Sequence, residues 1–212
     1  MKPAFSPHFN TGRLHTFAYL AIAGFCSTLA WKALATRFAS DDMMNLHYYW
    51  SHGFGNVLWH NLFFWTTDYR PAGGLYYLPL YNLFGLDPTP YRIAILAIIV
   101  ANAYLTCVTA ELLTGSRVAA VVTGILAAAH RELVPIYLLN SYIYDVLSYF
   151  FMQVVLIGHI RVRKRGLTPG WGQSLWLTAA FITALNDKEI SAGIANWECR
   201  STSPYSRSMT TS

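Results

Sequence analysis

Charged side chains are scarce in this chain of 212 residues, because Asp, Glu, Lys and Arg together make up only 12% of it. Typical soluble proteins carry about 25% charged residues. Hydrophobic residues account for 54% and aromatic residues for 16%, so too few charges remain to cover a water-facing surface. The composition excludes a disordered, a collagen-like or an ordinary cytosolic protein, and it favours a polytopic membrane protein.

Cysteine is also sparse, and the excess of basic residues is small. Cys26, Cys107 and Cys199 lie far apart and form no CxxC pair, so they predict neither a disulfide framework nor a zinc site. The net charge of +5 does not indicate a nucleic-acid partner. The basic residues lie between apolar runs and form no continuous basic face.

Several apolar segments approach the roughly 20 residues that are needed to cross a bilayer. We predict an all-α, polytopic transmembrane bundle with five spans, at about Leu14–Trp31, Ile93–Ala110, Val118–Ala129, Tyr142–Ile160 and Trp171–Leu185. A secretory signal peptide is the alternative for the first segment, although no small-residue cleavage site precedes Lys32. The third segment is short, so it predicts a tilted or partly re-entrant helix, or one that uses part of residues 130–139.

The Lys and Arg residues of the short loops predict the orientation of the bundle. Three basic groups fall on one side of the membrane: Lys2 with Arg13, then Arg117, then residues 161–165. This pattern predicts an integral protein of a bacterial inner or plasma membrane, with a cytoplasmic N-terminus and an extracytoplasmic first loop, Thr36–Tyr91. Residues 1–192 form the predicted membrane domain. Residues 193–212 predict a disordered or aberrant polar tail, either natural or the product of a truncated or frame-shifted gene.

The first loop combines aromatic residues with an acidic pair. Its Trp and Tyr residues predict one or two helices that lie along the membrane surface. Asp41 and Asp42 have two interpretations. In "SDDMM", Ser40 or Asp41 is a good N-cap and the negative charge suits the helix dipole. Alternatively, a carboxylate in the low-dielectric headgroup layer has a raised pKa, which suits proton abstraction.

Further along the loop, Arg70 lies between Asp68 and a Pro-Gly turn. The turn would hold the guanidinium group in one direction, and Arg binds a phosphate through two parallel hydrogen bonds. The alternative is a surface pair of Asp68 with Arg70, which contributes little. The loop's histidines, His47, His52 and His60, fit no usual metal-binding spacing.

In this order, the motifs resemble the amino-terminal part of the GT-C class of membrane glycosyltransferases. The most similar branch contains the protein O-mannosyltransferases and aminoarabinose transferases, glycosyltransferase family 39. The resemblance covers about residues 10–192. It rests on the acidic pair, on "YRP" leading into "LFGLDPTPYR", on "AAAHRELVPIYLLNSYIYDVLS" and on "ALNDKEISA". Arg131 replaces the usual Pro after His130, and Asp187 stands where Ser is common in the "SKE" motif.

The resemblance implies transfer of a sugar from a polyprenyl-phosphate donor to an extracytoplasmic hydroxyl acceptor. Asp41 or Asp42 would be the catalytic base. The implied substrate-binding residues are Arg70, Lys188 and Glu189 at the donor, with His130 and Asp145 orienting the sugar or the acceptor. The implied partners are the lipid-linked donor and membrane lipids, whereas the acceptor is not specified. Some members use a divalent metal ion and others do not, so the cofactor is left open.

Two other interpretations remain open. Ionisable residues near membrane spans also line transport pathways, which would make the chain a transporter or channel subunit. The long acidic first loop and the lack of paired, Gly- or Pro-broken spans argue against this. The chain would instead be a non-catalytic fragment if the spans that complete the donor groove in GT-C enzymes are missing.

Overall fold

The computed structural model describes residues 20–28, 31, 34, 36–62, 73–130, 134–166 and 169–187. All regular secondary structure in these residues is helical, which confirms the all-α prediction for this part of the chain. The α-helices are α1 (residues 20–28), α2 (Ser40–Leu62), α3 (Gly74–Phe84), α4 (Pro88–Thr114), α5 (Arg117–Ala128), α6 (Val134–Leu138), α7 (Ile143–Lys164) and α8 (Trp171–Asp187). A 3-10 turn, Asn140–Tyr142, lies between α6 and α7.

Among the residues that the structure describes, two helical segments are long and apolar enough to cross a membrane, namely α4 with 27 residues and the 25 residues Asn140–Lys164 that include α7. They contain the predicted spans Ile93–Ala110 and Tyr142–Ile160. At 12 and 17 residues, α5 and α8 are shorter than an untilted span of about 20 residues. Of the first predicted span, only residues 20–28 and 31 are described. The five-span topology and its orientation therefore stay predictions.

Local capping sets where α4 begins, where it ends and where α5 begins. The Asp87 side chain accepts a hydrogen bond from the Thr89 backbone N–H at 3.0 Å, and Pro88 occupies the first turn of α4. Gly115 ends α4 with a φ of 68°, in the left-handed region that favours glycine. Ser116 then caps α5 by accepting from the Ala119 N–H at 3.3 Å. The two helices therefore pack against each other across a short turn.

Two helices lie directly before α4 in the chain, namely α2 and α3, and they pack against each other. The backbone of Gly53, with φ 76° and ψ 162°, breaks α2 into two pieces. The aromatic stretch for which one or two helices are predicted, residues 48–65, is helical in α2 as far as Leu62. Their predicted position along the membrane surface stays a prediction.

Close packing in the bundle depends on small residues. The helix α4 packs against α5 and α7, and α7 packs against α8. A Cβ atom on Gly124 of α5 would overlap Sγ of Cys107 in α4. A Cβ atom on Gly158 of α7 would lie 2.6 Å from Cδ2 of Leu177 in α8. Glycine at these positions allows the neighbouring helices to approach closely.

We expect Gly124→Ala to destabilise the protein, although alanine normally stabilises a helix by about 1 kcal/mol relative to glycine. The overlap with Cys107 should lower the free energy of unfolding by about 1–3 kcal/mol, as overpacking does in other cores. Thermal unfolding in detergent measures the change. The matched control is Gly24→Ala in α1, where no atom lies within 4 Å of the added methyl group. Cys107→Ala should restore stability to Gly124→Ala, and equal stability of Gly124→Ala and the wild type would contradict the packing argument.

Candidate functional site

The two acidic residues at the start of α2 have different environments. Asp42 is completely buried, whereas Asp41 is exposed. Asp42 Oδ2 accepts a hydrogen bond from the Ala39 N–H at 3.1 Å, and the Ser141 N–H also bonds its carboxylate. The contact to Ala39 is half of a capping box. The predicted negative charge in the first turn of α2 is confirmed, but the capping contact is made by Asp42, whereas the sequence predicts a cap at Ser40 or Asp41.

Burial is the largest influence on Asp42 and raises the pKa of its carboxyl group above the ordinary value of 3.8. The Ala39 N–H and the charge of Arg92 lower this pKa, but by less than burial raises it. Removal from water disfavours the ionised form of an acid. Asp42 is thus a carboxyl group that the fold encloses and whose ionised form burial disfavours.

Arg92 lies in the first turns of α4, and only 3% of its surface is exposed. It is the buried cation whose charge acts on Asp42. Its Nη1 donates to the Leu138 carbonyl at 2.5 Å, and its Nη2 donates to the Arg37 carbonyl at 3.4 Å. Among the described residues, only Glu111 and Arg117 form an ion pair within 4.0 Å. Arg92 therefore acts on Asp42 through space while it ties α4 to residues 37 and 138.

Two buried tyrosines, Tyr76 and Tyr77, lie close enough to Asp42 and Arg92 to interact with them electrostatically. They belong to a group of five buried tyrosines that we call the tyrosine core: Tyr49, Tyr76, Tyr77, Tyr91 and Tyr144. The hydroxyl groups of Tyr49 and Tyr144 are 3.0 Å apart, and Tyr76 donates to the Tyr91 carbonyl at 2.6 Å. The rings of Tyr49 and Tyr77 stack at 5.8 Å. Buried tyrosines with paired hydroxyl groups combine apolar packing with polar contacts. The tyrosine core therefore borders Asp42 through Tyr76 and Tyr77.

Several polar atoms at this centre lack hydrogen-bond partners among the residues that the structure describes. They are Asp42 Oδ1, Arg92 Nε and both amide atoms of Asn140. An unpaired buried polar group costs about 1–3 kcal/mol. Native structures contain few such groups, and a concentration of them calls for a specific explanation. The Asp42 centre therefore differs from an ordinary structural core.

A cavity of about 860 Å³ lies between α4, α5, α6 and α7. Its walls are mainly apolar, and their polar members include Asn102, Thr106, Ser148 and Tyr149. Two predicted substrate-binding residues, His130 and Asp145, also line it, so the structure brings these two together. Asp41 and Asp42 do not line this cavity. The volume lies within the roughly 300–1,000 Å³ of small-molecule sites.

Hydrogen bonds between α4 and α7 hold one wall of the cavity. Asn102 Nδ2 donates to the Val146 carbonyl at 2.8 Å, and the hydroxyl groups of Thr106 and Tyr149 are 3.0 Å apart. One turn further along α4, the Thr109 hydroxyl group donates to Oε1 of Gln153 in α7 at 2.7 Å. Bonds of this kind between membrane helices contribute about 0.6 kcal/mol each on average. Together they fix how the two candidate spans face each other.

The remaining predicted site residues, Arg70, Lys188 and Glu189, lie outside the described residues. Among the residues that are described, no group of three His, Cys, Asp or Glu side chains could hold a metal ion. Sequence reasoning missed Arg92 and Asn140. A charge at the start of an apolar helix is the signal that could have indicated Arg92, because such a charge has to be paired or functional.

The chain matches no family model, no curated protein and no solved structure. The resemblance to GT-C enzymes therefore depends on the sequence motifs alone. The geometry of the Asp42 centre and of the cavity provides separate grounds for a function.

We expect the contribution of Asp42 to the free energy of unfolding to fall as pH rises above 3.8, because the folded state holds the Asp42 proton more tightly than the unfolded chain does. The decrease continues until the folded carboxyl group has lost its proton. Asp42→Asn is neutral throughout and should remove this part of the decrease. Thermal unfolding between about pH 4 and pH 7 measures it. Asp41→Asn, at the exposed neighbour, should retain the wild-type slope. A wild-type slope in Asp42→Asn would contradict the argument.

We expect Arg92→Met to lower the free energy of unfolding by about 3 kcal/mol, because two backbone carbonyl groups lose a charged donor and the buried Asp42 loses its nearby cation. Methionine preserves most of the apolar volume, so cavity formation adds little. Chemical unfolding gives the difference. Arg117→Met is the control, since its exposed pair with Glu111 should contribute less than about 1 kcal/mol. A similar loss in both variants would show that the burial of Arg92 is unimportant.

Proposed function

We propose that this chain is a membrane glycosyltransferase unit of the GT-C type, which moves a sugar from a polyprenyl-phosphate donor to an extracytoplasmic hydroxyl acceptor. The observation that supports it is the position of the Asn140–Tyr142 turn. On one side, the Ser141 N–H bonds the Asp42 carboxylate. On the other side, Asp145 in the first turn of α7 lines the cavity with His130. Asp42 and Asp145 thus both lie next to the Asn140–Tyr142 turn.

Asp41 is the residue that we assign as the catalytic base. An alcohol is a poor nucleophile, so a carboxylate that accepts its proton assists bond formation. Asp41 is exposed and can reach an acceptor, whereas Asp42 is completely enclosed. We assign Asp42 to positioning, because its bonds to Ala39 and Ser141 fix the first turn of α2 against the turn before α7.

The transfer forms one bond and breaks another. The acceptor oxygen bonds to the anomeric carbon of the sugar while the bond from that carbon to the lipid phosphate breaks. The acceptor proton goes to Asp41, and the lipid phosphate leaves as an anion. Preorganised positive charge stabilises such a leaving group. The resemblance assigns this role to Arg70 and Lys188, both outside the described residues.

The surroundings of the cavity fit a reaction of lipid-soluble substrates. Its walls include α4 and α7, the two helices with the length and hydropathy of membrane spans. An apolar chain can lie between these helices while its polar end approaches the Asn140–Tyr142 turn. This arrangement favours a transferase over a passive membrane anchor, which needs no such space.

The test is sugar transfer by the full chain in lipid nanodiscs, with radiolabelled polyprenyl-phosphate sugars as donors and hydroxyl-bearing lipids or peptides as acceptors. Asp41→Asn should reduce transfer by about 100-fold or more, the usual effect of losing a general base. The matched control is Asp87→Asn, an exposed cap of α4 that asparagine serves equally well, and it should leave transfer unchanged.

Wild-type transfer rates in Asp41→Asn would overturn the assignment of the base. Absence of transfer by the folded wild-type chain with each donor sugar would overturn the enzyme proposal. The transporter and the non-catalytic interpretations would then remain, and uptake by proteoliposomes would separate them.

A further inference from the structure

The C-terminal ends of α4 and α7 lie on the same side of the bundle. Three hydrogen-bonded pairs connect the two helices: Asn102 with Val146, Thr106 with Tyr149, and Thr109 with Gln153. The residue numbers rise together along both helices, so α4 and α7 run parallel. This end of the bundle therefore contains both the turn from α4 to α5, with Arg117, and the last turn of α7.

The last turn of α7 is strongly basic. Arg161, Arg163, Lys164 and Arg165 are all exposed, whereas Val162 among them is buried. Residues three and four positions apart are neighbours on a helix, so Arg161, Lys164 and Arg165 fall within about 100° of its circumference. We call these three side chains the basic face. Arg163 projects from roughly the opposite side of the helix.

The chain supplies the basic face with no counter-charge. No Asp or Glu occurs between Asp145 and Asp187 in the sequence, and in the described part of the chain the basic face forms no ion pair within 4.0 Å. Glu111, near the same end of α4, pairs with Arg117. Like charges three or four positions apart on a helix repel each other. The helix C-terminus contributes only about half a negative charge, so the face keeps a net positive charge that an anion would relieve.

The basic face begins where the apolar part of a candidate span ends. Between Asp145 and Arg161 the sequence has no Asp, Glu, Lys or Arg, and Asn140–Lys164 has the length and hydropathy of a membrane span. Long basic side chains at such a boundary extend into the headgroup layer. Beyond the next turn, Trp171 at the start of α8 is 95% exposed, and Trp is enriched in the same layer. The anions nearest to the basic face are therefore those of lipid headgroups.

We infer that the basic face binds the phosphate headgroup of an anionic phospholipid and selects such lipids over zwitterionic ones. Arg donates two parallel hydrogen bonds to one phosphate group, and Lys adds a point charge. A phosphatidylcholine headgroup carries a cation of its own, which offsets the phosphate charge. An anionic headgroup has no such cation, so the three basic side chains attract it more strongly. This inference does not rest on the proposed function.

The experiment compares two lipids that have the same acyl chains, dioleoyl phosphatidylglycerol and dioleoyl phosphatidylcholine. Native mass spectrometry of the full chain in detergent gives the Kd of each lipid. The wild-type chain should bind phosphatidylglycerol at least about 20-fold more tightly, because each Lys or Arg beside an anionic headgroup contributes about fivefold in affinity.

Two double variants remove the same charge from the same end of the bundle. Arg161→Gln with Arg165→Gln takes two cations from the basic face and should weaken the binding of phosphatidylglycerol by about 20-fold. Arg117→Gln with Arg163→Gln is the matched control, since Arg117 pairs with Glu111 and Arg163 projects away from the basic face. The control should weaken binding by less than about fivefold, because distant charges are screened.

Thermal unfolding verifies that each variant is folded, and glutamine is a good helix former at these exposed positions. If the first double variant fails to fold, Lys164→Gln with Arg165→Gln removes the same charge from the basic face and should give the same loss.

Equal affinity for the two lipids would overturn the inference. Equal losses in the two double variants would also overturn it, since they would indicate attraction to the whole basic end without a defined site. Glycerol phosphate and inorganic phosphate should displace phosphatidylglycerol only at concentrations at least about 100-fold higher, because they lack the apolar chains. Displacement at the concentration of the lipid itself would assign the basic face to a soluble anion. Sugar transfer plays no part in these measurements, so the inference and the proposed function fail independently.

Discussion

A carboxyl group that is closed to solvent constrains everything around it, and Asp42 is such a group. It has to be satisfied by backbone N–H groups and a nearby cation, or else lose its charge. In this fold, backbone N–H groups and a nearby cation favour the ionised form of Asp42, while burial disfavours it. Ala39 and Ser141 donate to it, Arg92 acts on it from a distance, and burial still raises its pKa. These partners come from three separate parts of the chain, so Asp42 can be satisfied only when all three are assembled.

The cation at this centre extends the same constraint to the cavity. Arg92 bonds the Leu138 carbonyl, just before the turn that leads into α7. The position of this turn determines where Asp145 begins to face the cavity. Further along, the bonds from Asn102 and Thr106 keep α7 in register with α4. A change at the buried centre should therefore alter the cavity wall as well, although the two do not share a lining residue.

Local patterns predicted the helices well because their causes are local. Apolar runs with clear caps, such as Asp87 before α4 and Gly115 after it, identify an element from a few neighbouring residues. The placement of His130 and Asp145 at one site was implied only by the resemblance to a family, and both line the cavity. Contacts over long sequence separations could not be derived from the chain alone. The burial of Asp42, beside an exposed Asp41, depends on Arg92 and on Ser141, about 50 and 100 residues away in sequence. A one-residue difference in helical position separates the two carboxylates, and no composition or periodicity specifies which one turns inward.

The contrast between the enclosed Asp42 and the exposed Asp41 matters for how a transferase with a lipid-linked donor is organised. Its donor ends in an anion, which needs cations, whereas its acceptor ends in a neutral group, which needs a hydrogen-bond acceptor and finally a base. One pocket cannot favour both, since each charge that stabilises the phosphate weakens a carboxylate as a base. In this chain the cavity contains a carboxylate and, among its described lining residues, no Lys or Arg. Arg92, a buried cation outside this lining, donates to the Leu138 and Arg37 carbonyls and is too enclosed to meet a phosphate. On the proposed function, the donor phosphate therefore depends on Arg70 and Lys188, as the resemblance implies, and the acceptor hydroxyl group depends on the exposed Asp41.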